Sequence, residues 1–120
     1  MLETVAAVVI DDLAPFEFGV LCEVFGIDRT EEGVPRVDFL VCGEEPGVPL
    51  RTSVGALLTP EHGLDAVARA DLVAVPAAAL RDADQYPVAV LEVLRAAVAR
   101  GATVLSVCSG SFVLGAAGLL

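Results

Sequence analysis

One segment of this sequence has the residue types and the spacing for covalent chemistry. Thr103-Val-Leu-Ser-Val-Cys108-Ser109-Gly110-Ser111-Phe112 runs from an apolar stretch, through a single thiol, into small residues that open a second apolar stretch. Read physically, this is a strand, a nucleophile elbow at Cys108 and a helix beginning near Gly110. A sharp strand-to-helix turn lifts the side chain at its apex above the sheet edge, where a nucleophile is accessible. Ser106 and Gly110 are small enough for the chain to turn without a clash. The first N–H groups of the helix face the sulfur, and the Ser109 N–H is placed to bind an oxyanion. Cys108 is therefore the expected reactive thiol, while Cys22 and Cys42 lack this context and read as packing residues.

Other combinations carry less. Asp11-Asp12 could suggest a metal or phosphatase site, but neighbouring strand residues face opposite ways and no third acidic ligand is spaced to help. No metal site is expected. Gly110, Gly115 and Gly118 do not form the Gly-x-Gly-x-x-Gly dinucleotide pattern, and close helix–sheet packing accounts for them. Three cysteines at 22, 42 and 108 match no zinc spacing, and thiols in a reducing compartment are the better reading.

The elements that must position Cys108 alternate in type. Val5–Ile10 reads as a buried parallel strand ending at Asp11-Asp12. Phe16–Phe25 has helical periodicity, with Pro15 at its start and Gly26 at its end. Val37–Val41 is a second strand, and Gly43–Gly55, with its prolines and glycines, is expected to form a hairpin. A short helix over Pro60–Ala70 follows, with His62 at its start, then a strand over Asp71–Val75 stopped by Pro76. A helix from about Pro87 to Arg100 carries an apolar stripe of Val90, Leu91, Leu94 and Val98, with Gly101 as its C-terminal cap. Thr103–Val107 is the strand before the elbow. This alternation predicts an α/β domain of three layers, α/β/α, around a mostly parallel sheet with right-handed crossovers.

Composition limits what such a domain could be. In 120 residues there is room for one small domain, and 56% hydrophobic residues suit a sheet buried on both faces. The net charge of −10 argues against contact with nucleic acid by these residues. All seven basic residues are arginine, which excludes Schiff-base and phosphate-loop lysines. No apolar run is long enough to span a bilayer and no signal peptide is read at the start, so no membrane partner and a cytoplasmic location are expected.

The segment Val107-Cys108-Ser109-Gly110-Ser111-Phe112-Val113-Leu114-Gly115-Ala116-Ala117-Gly118-Leu119-Leu120 resembles the nucleophile segment of the ThiJ/PfpI family, in the class I glutamine-amidotransferase-like superfamily. It is most similar to the branch fused to AraC-type DNA-binding domains. Further motifs agree in order: Pro15-Phe16-Glu17 and Cys22-Glu23-Val24-Phe25-Gly26 after the first strand, Thr52-Ser53-Val54-Gly55 before Thr59-Pro60-Glu61-His62-Gly63-Leu64, and Asp71-Leu72-Val73-Ala74-Val75-Pro76 before the family's oxyanion loop. The resemblance covers residues 1–120 and implies a flavodoxin-like fold. It implies Glu17 as the carboxyl beside the nucleophile, able to donate a hydrogen bond to the sulfur when protonated. It also implies Ala77 and Ala78 as further oxyanion-binding positions, although the family usually has glycine there and alanine tolerates fewer conformations. The family's histidine partner, where present, lies some twenty residues beyond the nucleophile, and His62 is the only histidine.

The resemblance therefore implies a ligand-sensing or dimerising N-terminal domain of an AraC-type transcriptional regulator. Its partners would be a small-molecule ligand and a second copy of the chain, with DNA contacted only through a further domain, and no cofactor. The alternative is a ThiJ/PfpI cysteine enzyme, an isonitrile hydratase, deglycase or glyoxalase-like hydratase, with Cys108 as nucleophile and Glu17 as proton carrier. A structural module that keeps only the fold is a third reading. The helix after Cys108 is apolar through Leu119-Leu120, with no capping glycine, basic last turn or polar exit. The fold is therefore expected to be C-terminally incomplete, with an exposed apolar face near that helix.

Overall fold

The computed structural model describes residues 2–120. Seven strands and three α-helices follow in the order β1 (Thr4–Val8), α1 (Pro15–Leu21), β2 (Asp38–Gly43), β3 (Leu50–Arg51), β4 (Leu57–Leu58), β5 (His62–Gly63), β6 (Leu72–Val75), α2 (Val88–Ala99), β7 (Thr103–Ser106) and α3 (Ser111–Ala116). Five strands form one sheet in the order β5-β2-β1-β6-β7, and every pair in it is parallel. The four longer strands alone, β2-β1-β6-β7, have a flavodoxin-like order. β3 and β4 make a separate antiparallel hairpin.

The apolar run at the start forms β1 because it is covered on both sides. Ala6, Val8 and Ile10 join Cys42, Val73 and Val75 in the larger core, under Val90, Leu91 and Leu94 of α2 and Val113 and Leu114 of α3. Ala7 and Ala74 face the other way, against Leu21, Phe18 and Phe25. Helices on both faces of a parallel sheet give the three-layer α/β/α arrangement that the alternation predicts. Parallel register puts the carboxyl ends of all five strands at one edge, the edge at which ligand sites of open α/β sheets form.

Several boundaries differ from expectation, each for a physical reason. The stretch Phe16–Phe25 is not one α-helix: α1 stops at Leu21 and Cys22–Gly26 continues as a wider π-helical turn. That turn brings Gly26 against Phe39, whose ring lies 3.3 Å from where a Cβ would stand. The hairpin falls over 50–58 rather than 43–55, and His62 lies in β5, a fifth parallel strand, with a 3-10 helix over Leu64–Arg69 behind it.

The helix after Cys108 also corrects the reading of an uncapped end. Gly118 adopts φ +77°, its N–H donates to Gly115 O, and the Leu119 N–H donates to Leu114 O, both at 3.0 Å. This is a Schellman cap, with Leu119 as the apolar residue that accompanies it. Arg95 Nε of α2 donates to the Ala117 carbonyl at 2.8 Å, so a cation from the neighbouring helix serves the C-terminal end. The expected exposed apolar residues are present: Phe112 is 55% and Leu120 83% exposed.

Candidate functional site

Three loops leave the carboxyl edge of the sheet and are tied to one another by hydrogen bonds. After β1, the Ala14 N–H donates to Ala77 O (2.9 Å), and the Ala79 N–H returns a bond to Asp12 O (3.0 Å). Leu13, fully buried, thus forms an antiparallel bridge with Ala78 and a parallel one with Thr52. After β7, the Ser109 hydroxyl donates to Ala78 O at 3.1 Å. The loops after β1, β6 and β7 therefore form one connected platform.

Cys108 stands on this platform in a strained conformation. Its φ is +51°, one of only two positive values among the described non-glycine residues. A non-glycine residue in the left-handed region costs about 1–3 kcal/mol and persists only where its surroundings enforce it. The enforcement is visible. β7 pairs with β6 through Val75 and Ser106, and the Val107 N–H donates to Val75 O at 3.0 Å. A Cβ on Gly110 would stand 2.1 Å from that same Val75 oxygen and 3.0 Å from Pro76 O. Only glycine fits beneath the turn, which is the physical content of the Cys-x-Gly spacing. Cys108 is exposed, Cys22 half-buried and Cys42 buried. Burial pushes the Cys42 thiol up to about 11 and raises that of Cys22.

The Ser109, Ala77 and Ala78 N–H groups donate to no acceptor among the described residues, whereas the Ala79 N–H is spent on Asp12. Three free donors thus lie on loops beside the elbow, at the positions the sequence singles out. Glu17 is half-buried in the first turn of α1, on the element that follows the Asp12–Ala14 loop. Among the described residues its carboxylate joins no ion pair. His62 is in β5, at the opposite side of the sheet from β7. Glu23 makes an ion pair with Arg29 at 3.2 Å. Asp11 and Asp12 serve the hairpin: Asp11 Oδ1 accepts the Arg51 N–H (2.9 Å) and Asp12 pairs with the Arg51 side chain. No group of three or more metal-ligating side chains gathers among the described residues.

The sequence points to Ser109 only through its N–H, whereas its hydroxyl ties the Cys108 turn to the Ala77–Ala78 loop. Arg81 carries no sequence signal either: its guanidinium donates to Asp11 O at 3.1 Å and lies over the Tyr86 ring. No short motif marks such contacts, because they join loops that are distant in sequence.

No protein-family model and no curated protein sequence matches the chain. Solved structures do. Drosophila melanogaster DJ-1beta superposes with a TM-score of 0.77 at 20% identity, over 99% of this chain and 62% of that one. The chain has the DJ-1/ThiJ/PfpI fold. An AraC family transcriptional regulator from Pseudomonas putida is similar at a TM-score of 0.76 and 20% identity, over 97% of this chain and 71% of the regulator's. A ThiJ/PfpI family protein from Pseudomonas syringae follows at 0.70 and 22%, with 48% of its length covered. The chain spans less than two thirds of the DJ-1beta structure. In this chain Cys108 occupies the turn between β7, at one edge of the described sheet, and α3. No helix among the described residues is long and apolar enough to cross a membrane.

Proposed function

We propose that this chain is a ligand-sensing or dimerising domain of the ThiJ/PfpI kind, of the sort carried by AraC-type transcriptional regulators, acting in the cytoplasm. The observation that carries this reading is the strained, exposed Cys108 at the junction of three cross-linked loops. Such a thiol can bind or react with an electrophilic or carbonyl-bearing small molecule, and the surrounding main chain would register the event. The net charge of −10 suits a module that leaves DNA to another domain.

A cysteine enzyme is the second reading, and the free N–H groups of Ser109, Ala77 and Ala78 favour it, since such donors stabilise a developing oxyanion. Glu17 would then carry the proton. The two readings separate in one experiment. The chain and its Cys108→Ser variant are incubated with methylglyoxal and with an aryl isonitrile, with product followed by NMR and adducts by intact mass. Sensing predicts a stoichiometric, Cys108-dependent adduct or saturable binding without multiple turnovers. Turnover abolished by Cys108→Ser would assign the enzyme instead.

A further inference from the structure

A wide groove lies at the other edge of the sheet, under the amino-terminal ends of β1 and β2. It measures about 550 Å³, within the roughly 300–1,000 Å³ range of small-molecule sites. Its wall combines apolar residues, among them Val24, Ile27, Val34 and Phe39, with Arg29, Arg36 and Arg69.

What the arginines do elsewhere makes this groove distinctive. The chain has seven. Arg51 pairs with Asp12, Arg81 donates to Asp11 O, Arg95 to Ala117 O, and Arg100 to Ala70 O and Val67 O at 2.8 and 2.7 Å. Arg29 is held by Glu23, through both its carboxylate and its carbonyl. Two remain. Arg36 makes only a long ion pair with Asp38, at 3.9 Å and highly exposed, and lies close enough to Asp28 to favour its charged form. Arg69 has no hydrogen bond or ion pair among the described residues. Both line the same groove. Asp28, the other acidic residue beside Asp38 in the wall, has its Oδ1 taken by the Thr30 N–H and hydroxyl. In a chain of net charge −10, the cations without a strong partner converge on a single cavity with an apolar wall.

The geometry points to a second binding site here, for a small organic carboxylate with an apolar body. The carboxylate would bridge Arg69 and Arg36, whose planar forks suit it, and the body would cover Val24, Ile27 and Val34, which are 59%, 48% and 47% exposed. This site is independent of the Cys108 chemistry proposed above.

Titration of the 15N-labelled 120-residue chain with octanoate, acetate and 1-octanol, followed by two-dimensional NMR, tests it. Octanoate should bind saturably, with shifts confined to residues 24–29 and 34–40 and to Arg69. Acetate and octanol should each bind at least about fivefold more weakly, and octanoate affinity should fall with salt. Arg69→Gln and Arg36→Gln, both at exposed positions, should each weaken octanoate about fivefold or more, whereas Cys108→Ser should leave it unchanged. The proposal is overturned if octanol matches octanoate, if the shifts fall elsewhere, if both arginine variants bind like the parent, or if octanoate does not saturate by roughly 20 mM, too weak for a built site.

Discussion

Replacing Gly110 with alanine should damage this protein more than its small size suggests. The added Cβ would stand 2.1 Å from the Val75 carbonyl oxygen and 3.0 Å from Pro76 O. Both are backbone atoms at the end of β6, and neither can rotate aside as a side chain could. The Val75 oxygen also accepts the Val107 N–H, so any shift that relieves the clash disturbs the last β6–β7 bond. Overpacking costs about 1–3 kcal/mol when side chains can yield, and a backbone clash belongs at or beyond the upper end. A chain of this length has about 6–18 kcal/mol in all. A loss of about 3 kcal/mol should lower Tm by roughly 10–15 °C. Gly115→Ala is the control: it lies in α3 with nothing nearer than Leu120 Cδ1 at 3.8 Å, and should be neutral or raise stability by about 0.5–1 kcal/mol. Circular-dichroism melts read the stability, and the iodoacetamide labelling rate of Cys108 reads the elbow. If Gly110→Ala melts within about 3 °C of the parent, under the shift expected for even 1 kcal/mol, and labels at the same rate, the tight turn described above is wrong.

Three further outcomes follow from the thiols and carboxylates. In the folded protein Cys108 should label first, Cys22 more slowly and Cys42 only on unfolding, as their exposure dictates; mass-spectrometric mapping that finds Cys42 modified early would refute this order. Because burial raises the Cys42 thiol from 9.0 to about 11, the folded state holds that proton where the unfolded state releases it. Stability should therefore fall as pH rises from about 9 to 11, by up to roughly 2–3 kcal/mol, and urea titrations of Cys42→Ala should lack that part of the decline. The Asp71 carboxylate is held below its ordinary 3.8 by the Glu3 and Thr4 N–H groups, which it accepts at 2.9 and 3.0 Å. Its contribution is present above that value and lost as pH falls through the lower folded value, so acid unfolding of Asp71→Asn should show a shallower dependence there.

The parts of the fold legible in the sequence are those whose side chains are covered on both faces. Val5–Ile10 and Leu72–Val75 are continuous apolar runs because parallel strands between helix layers need no polar face, whereas β7, at the sheet edge, is only partly covered and keeps Thr103 and Ser106 among its apolar residues. β5 was not legible: His62-Gly63 has no apolar pattern, and it pairs because Cys42 and Gly43 offer the edge of β2. The turn at Cys108 was legible because the strand, the thiol and the glycine beneath it sit in nearly consecutive residues. The Ser109 hydroxyl to Ala78 bond and the Leu13 bridges join segments far apart in sequence, so no local pattern announces them. The cap at Gly118 was hidden differently. The following Leu119 looks like helix continuing, yet an apolar residue just beyond the glycine is part of the motif itself.

The two alanines after Pro76 acquire a meaning from these contacts. Glycine at such positions would leave the backbone free to rotate its N–H groups toward or away from a ligand. Here Ala77 O is fixed by the Ala14 N–H and the Ala79 N–H by Asp12 O, and neither Ala77 nor Ala78 has a positive φ. The bridge holds the segment extended, a conformation alanine adopts without strain. The free N–H groups of Ala77 and Ala78 are consequently set by the fold rather than selected on binding. A preset donor loop suits a domain that must recognise one carbonyl or oxyanion geometry and report it. The report would pass through hydrogen bonds, since Ala78 O accepts the Ser109 hydroxyl while its neighbours Ala77 and Ala79 are bonded to Ala14 and Asp12 before α1. Modification at Cys108 that displaced Ser109 would thereby disturb the loop before α1, in which Leu13 is fully buried.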